Sequence, residues 1–265
     1  MSDRSAADGQ VREQQLAPGL LRWTLDHPRK RNALTPAMLA WLERRAGELR
    51  GEVVLLTGEG EHSFCAGFDL DALPQQDPDA LAEAPDAPLF AATAALRRAD
   101  ATTVAILHGH VFGAGVELAC SCDLRIARSD ARFVIPAARL GVVYHADGVA
   151  LLQRCFGAAL TQRLLLLGES VSADEAMRAG CLHGVHAPLD LESAVMAIAD
   201  KLRSGAPLSL RAHRDRLRAL AAGQPFTAED ARRYDDARRV AYLSDDHREG
   251  RLATRERRPP RFTGA

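Results

Sequence analysis

Residues 108–123 read His-Gly-His-Val-Phe-Gly-Ala-Gly-Val-Glu-Leu-Ala-Cys-Ser-Cys-Asp. An apolar run from Thr103 to Leu107 leads into them, the small residues Gly113, Ala114 and Gly115 follow, and an apolar segment of helical character comes next. The pattern predicts a strand, a tight turn and the N-terminus of a buried helix. A helix start leaves several backbone N–H groups without intrahelical partners, and the aligned peptide dipoles favour negative charge there. Small side chains let a ligand approach that backbone. Glu117 lies three residues beyond Ala114, so a helix carries it to the same face as that N–H. The plainer account is a tightly packed strand-to-helix turn whose acid favours the dipole. The functional account is an anion-holding N–H beside a carboxylate.

A second stretch of this kind lies upstream. The run Val53-Val54-Leu55-Leu56 predicts a strand (52–57) buried on both faces, and Gly58 to Leu70 then form a small-residue turn opening into a short helix. Before it, strands at 11–16 and 20–25 flank the turn Ala17-Pro18-Gly19, and residues 27–32 form a basic loop. Thr35-Pro36 starts a helix that runs to about Arg50. After it, residues 71–88 are rich in Asp, Pro, Ala and Gln and predict an exposed, mobile loop able to cover a ligand site, followed by a helix at 89–99.

Downstream, strands are expected at 124–127 and 131–135, then an irregular segment, 136–146, carrying Arg139, Tyr144 and His145. Asp147 reads as the N-cap of a helix through Phe156. Further helices are expected at 159–167, 172–179, 190–204, 207–221 and 227–243, with a short strand at 184–186 and an arginine-rich tail from Asp245. The expected organisation is a disordered leader (1–10), an α/β core (11–200) and a helical C-terminal region (201–265).

Composition narrows the function classes. The chain has 265 residues, 47% hydrophobic and 26% charged, which is ordinary for a soluble globular protein. A net charge of −1 gives no electrostatic case for nucleic acid or a membrane surface as partner. No signal peptide and no membrane-length apolar run is read, so a cytoplasmic location is expected. Cys65, Cys120, Cys122, Cys155 and Cys181 lie mostly in apolar surroundings and read as reduced core thiols; their spacing suggests no metal site.

Phe-Cys-Ala-Gly-Phe-Asp-Leu at 64–70 and Gly-x-x-x-Gly-Ala-Gly-x-Glu-Leu at 109–118 together resemble the crotonase (enoyl-CoA hydratase/isomerase) superfamily. Residues 28–34, 121–124, 172–176, 180–182 and 249–251 fit the same resemblance, which spans about residues 11–262. It implies a spiral of ββα units with a helical trimerisation region, and a homotrimer or hexamer. It implies an acyl-CoA thioester as substrate, coenzyme A being part of that substrate and no separate cofactor being needed. By position, the amides of Phe68 and Ala114 become the oxyanion hole, although most relatives have glycine where Ala114 stands. Arg31, Ala66, Asp69 and Leu70 fall at CoA-binding positions, with an ordering role in its own loop as the alternative for Asp69 and a solvated surface charge as that for Arg31.

The resemblance leaves the reaction open. Hydratases of the superfamily match this chain at Glu117, but their second glutamate falls at Ala137. The segment 140–144, with Tyr144, is similar to methylmalonyl-CoA decarboxylase, which however has histidine where Phe68 stands. A tyrosine hydroxyl can bond a departing carboxylate or deliver a proton. His145 falls where some isomerases and dehalogenases carry an aspartate, and a histidine moves protons near neutral pH but cannot form the dehalogenases' ester. Glu117, Tyr144 and His145 are therefore the candidate catalytic side chains, while His108 and His110 are assigned to packing or surface. A hydratase/isomerase-type lyase comes first. A malonyl-type decarboxylase, a double-bond isomerase and a non-catalytic acyl-CoA-binding protein follow.

Overall fold

The computed structural model describes residues 9–72, 85–223 and 225–265. The expected leader (1–8) and most of the expected loop (73–84) lie outside those residues. β1 (Gln10–Ala17) and β2 (Leu20–Asp26) pair antiparallel, and Gln10 sits opposite Asp26, so Gln10 belongs to the sheet and not to a leader. α1 (Pro36–Gly47) starts as read: Thr35 accepts from the Met38 N–H, and Pro36 occupies the first turn, where a missing N–H costs no hydrogen bond. Its face of Met38, Leu39, Leu42 and Ala46 is buried.

Two-strand repeats follow: β3 (Val53–Gly58) and β4 (Ser63–Cys65), then α2 (Ala87–Arg98); β5 (Thr102–Leu107) and β6 (His110–Phe112), then α3 (Ala114–Cys120); β7 (Leu124–Arg128) and β8 (Arg132–Val134), then α4 (Ala137–Leu140) and α5 (Ala146–Gln162). After β9 (Val171–Ser172), α6 (Ala173–Arg178) and β10 (Gly184–His186) come α7 (Leu191–Arg203), α8 (Pro207–Ala221), α9 (Ala228–Leu243) and α10 (Asp245–Glu256). The first strand of each repeat enters a six-stranded sheet, order β1-β2-β3-β5-β7-β10, and the second enters a four-stranded sheet, order β4-β6-β8-β9. β3, β5 and β7 run parallel, as do β4, β6 and β8. This alternation is the expected ββα spiral. Parallel strands covered on both sides explain why Val53 to Leu56 are all buried.

Several expectations are corrected. Residues 64–70 do not open into a helix. Gly67 adopts φ 95°, Phe68 bridges Leu34 in parallel, and only Leu70–Ala72 make a 3₁₀ turn, because the Leu34 backbone takes the hydrogen bonds a helix would have made. The segment 136–146 holds the one-turn helix α4, stopped by Gly141 at φ 67°. The helices expected at 147–156 and 159–167 are parted as read, at the non-helical Gly157 (φ 73°) inside α5, but the second keeps α-helical form only to Gln162 and goes on as a π-helical turn over Arg163–Leu167. Asp147 is not its N-cap: His145 accepts from the Gly148 N–H and displaces that role onto itself.

The arginine-rich tail contains α10, capped by Ser244 and hidden in the sequence by its polarity. Buried Asp246 accepts from the N–H groups of Thr263 and Gly264, at 2.7 and 2.9 Å. Backbone proximity divides the chain into Met1–Val195 and Met196–Ala265, a break inside α7 a few residues before the expected 200. The core of the first unit surrounds Trp23, Phe64, Phe133 and Phe156. In the second, Leu217, Leu220, Val240 and Leu243 of α8 and α9 are exposed. Among the described residues no helix is long and apolar enough to cross a membrane.

Candidate active site

Gly113 takes φ 51° and ψ −122°, a backbone state that side chains disfavour, and so aims the first N–H groups of α3 away from β6. Its own N–H goes to Val134 O at 2.8 Å. The next, that of Ala114, donates to nothing among the described residues. Phe68 is in the same condition. In its bridge to Leu34, Leu34 N donates to Gly67 O (2.7 Å) and Asp69 N to Leu34 O (2.9 Å), which leaves the Phe68 N–H pointing to the other side, unused. The two turns abut: a Cβ at Gly67 would lie 3.1 Å from Phe112 O and 3.6 Å from Ala114 N.

One turn into α3 stands Glu117, with no solvent exposure. Its Oε1 lies 2.9 Å from His145 Nε2, and its Oε2 is buried without a partner among the described residues. His145 Nδ1 accepts the Gly148 N–H at 3.1 Å, which places the imidazole proton on Nε2, so the ring donates to the carboxylate. Burial pushes the Glu117 carboxyl above its usual range, while His145 and then Arg97 pull it back. Gly148 makes room for the pair, since a Cβ there would fall 2.9 Å from Glu117 Oε2 and 3.0 Å from His145 Nε2. Phe90 of α2 packs edge-on against the His145 ring, centroids 5.3 Å apart.

Tyr144 is half-buried, and its hydroxyl lies 3.9 Å from where a Cβ of Gly113 would stand. Burial, then the Glu117 charge, raises its phenol, so it stays protonated and available as a donor. The fold thus brings Glu117, His145, Tyr144 and the two unused amides near one another.

The expected CoA-binding residues fare differently. Arg31 is exposed, Ala66 uses its N–H on Arg31 O at 3.1 Å, and Leu70 is exposed. Asp69 is buried and takes Lys30 Nζ on both oxygens, at 2.6 and 2.8 Å, with the Asp71 N–H at 3.2 Å, so its carboxylate is occupied by the 27–32 loop and its own. Ala137 is buried and offers no second acid. His108 is buried and His110 exposed against Phe112, as assigned. Gly148, Phe90 and Arg97 were missed. The Asp147-Gly148 pair was a visible signal, but it was read as helix punctuation. Among the described residues no three His, Cys, Asp or Glu converge as a metal site.

The fold and the sequence that carry this geometry have counterparts. A model of the enoyl-CoA hydratase/isomerase family matches residues 16–265, and the chain belongs to that family. The (E)-benzylidenesuccinyl-CoA hydratase of Thauera aromatica is 32% identical over 256 residues, covering 91% of this chain and 94% of that protein. The methylmalonyl-CoA decarboxylase of Escherichia coli is 29% identical over 243 residues, covering 90% and 92%. A crystal structure of an enoyl-CoA hydratase/carnithine racemase from Magnetospirillum magneticum superposes with a TM-score of 0.86 at 27% identity, covering 96% of each chain. The chain is an acyl-CoA-processing enzyme of the enoyl-CoA hydratase type.

Proposed function

We propose that this enzyme is a lyase that adds water reversibly to 2-enoyl thioesters of coenzyme A, with Glu117 as its single acid/base. The observation that carries this reading is Glu117 itself, wholly buried, one oxygen held by His145 and the other unpaired, beside two unused amides. A water donating to Oε2 loses its proton to Glu117 as its oxygen bonds to the β-carbon. The C=C electrons move onto the thioester oxygen, where the Phe68 and Ala114 N–H groups hold the negative charge; one such donor contributes about 3–4 kcal/mol. Glu117 then returns the proton to the α-carbon. With alanine at 137, one carboxylate serves both proton transfers, and the His145 Nε2–H holds its Oε1 so that Oε2 stays free for them. Coenzyme A arrives as part of the substrate. Glu117→Gln lowers kcat for crotonyl-CoA hydration by about 10³-fold or more while thioester binding survives. Unchanged turnover in that variant, read by the loss of the enoyl absorbance, defeats the proposal.

A malonyl-type decarboxylation is the second reading. It is favoured by the Tyr144 hydroxyl, a protonated donor at the Gly113 turn. In deuterated water it gives carbon dioxide and one deuterium at the α-carbon from methylmalonyl-CoA, weakened about tenfold or more in Tyr144→Phe. Under the hydratase reading the same variant changes hydration less than about threefold.

A further inference from the structure

Glu117 Oε2 has a companion. Arg97 Nη1 is also a buried atom without a hydrogen-bond partner among the described residues. Phe90 and Arg97 are seven residues apart on α2, close to two full turns, and so share one face of that helix. Phe90 meets the His145 ring on that face. α2 packs against α3, and the carboxylates whose charge bears most on Arg97 are Glu117 of α3 and then Asp147 of the first turn of α5. Neither carboxylate hydrogen-bonds it. Arg97 is half-buried, but its Nη1 is withdrawn from water; a buried donor is almost always paired, yet this one is unused, and no step of the hydration uses it.

We propose that Arg97 is the receptor for a carboxylate at the far end of the acyl chain, so that the preferred substrates are thioesters of dicarboxylic acids. The inference rests on the thioester reading and names its substrate class. A planar guanidinium fork matches a carboxylate in two parallel hydrogen bonds. A chain ending in a methyl group leaves the buried donor unpaired, and sites of that kind discriminate strongly.

The test is calorimetric titration of the full-length protein with glutaryl-CoA and valeryl-CoA, saturated thioesters of equal acyl length that cannot be hydrated. Wild type binds glutaryl-CoA about 10- to 100-fold more tightly. Arg97→Leu brings that ratio to about one, and Arg97→Lys keeps part of it, as a point charge without the fork should. Equal binding of the two thioesters by wild type overturns the proposal, and so does a preference that persists in Arg97→Leu. If the leucine variant does not fold, the wild-type ratio and the lysine variant decide. Because neither probe reacts, a missing hydratase activity leaves the ratio intact and is told apart from failure here.

Discussion

Asp69 and Glu117 are both buried acids shortly after a small-residue turn, and both face a basic side chain. Asp69 has both oxygens on Lys30 and a further backbone N–H from Asp71. Glu117 has one oxygen on His145 and the other on nothing. The first arrangement is complete and holds a loop. The second is incomplete, and its open oxygen is the one to which the proposed hydration brings a water. Burial alone does not separate a structural acid from a chemical one; what is left unsatisfied does.

The contrast is broken most severely at Glu117. Beyond its effect on turnover, Glu117→Gln should stabilise the fold. The carboxyl titrates higher in the folded chain than the usual 4.5, so the folded state binds the proton more tightly and stability falls as pH rises from there through the raised value. Glutamine keeps an acceptor for His145 and escapes that loss. Melting curves should therefore show the variant gaining on wild type as the pH climbs above 4.5, with no gain below it.

Gly148→Ala comes next. Its methyl would displace the Glu117–His145 pair, and misplacement of this kind costs about 100-fold in kcat/KM. Circular dichroism would show the fold retained. The smallest effect belongs to Asp69→Asn, which removes the Lys30 ion pair; it should lower the melting temperature and weaken thioester affinity while kcat stays within about threefold. A large fall in kcat there would erase the distinction between the two acids.

Much of this was legible in the chain because it is local. Gly113-Ala114-Gly115 after an apolar run announces a turn, and Glu117 follows by helical spacing. Phe68 and Ala114 came from the family resemblance. What escaped depends on partners distant in sequence. No pattern near residue 145 says that its ring will cap α5 and also reach α3, and Asp147 is the better cap on propensity alone. Arg97 reads as one of many surface arginines until α2 is laid beside Glu117. α10 lacks an apolar stripe, and β6 is hidden because three residues give no period.

His145 joins two tasks that proteins usually keep apart. Asparagine, serine or aspartate can cap a helix but is too short to reach Glu117 as the imidazole does, and glutamine can reach it but caps poorly. Site-saturation at 145 should accordingly return an almost empty set of functional replacements, a far stricter tolerance than helix starts ordinarily show. The mutational record of this position would read as that of a catalytic residue even if its ring never touched a substrate.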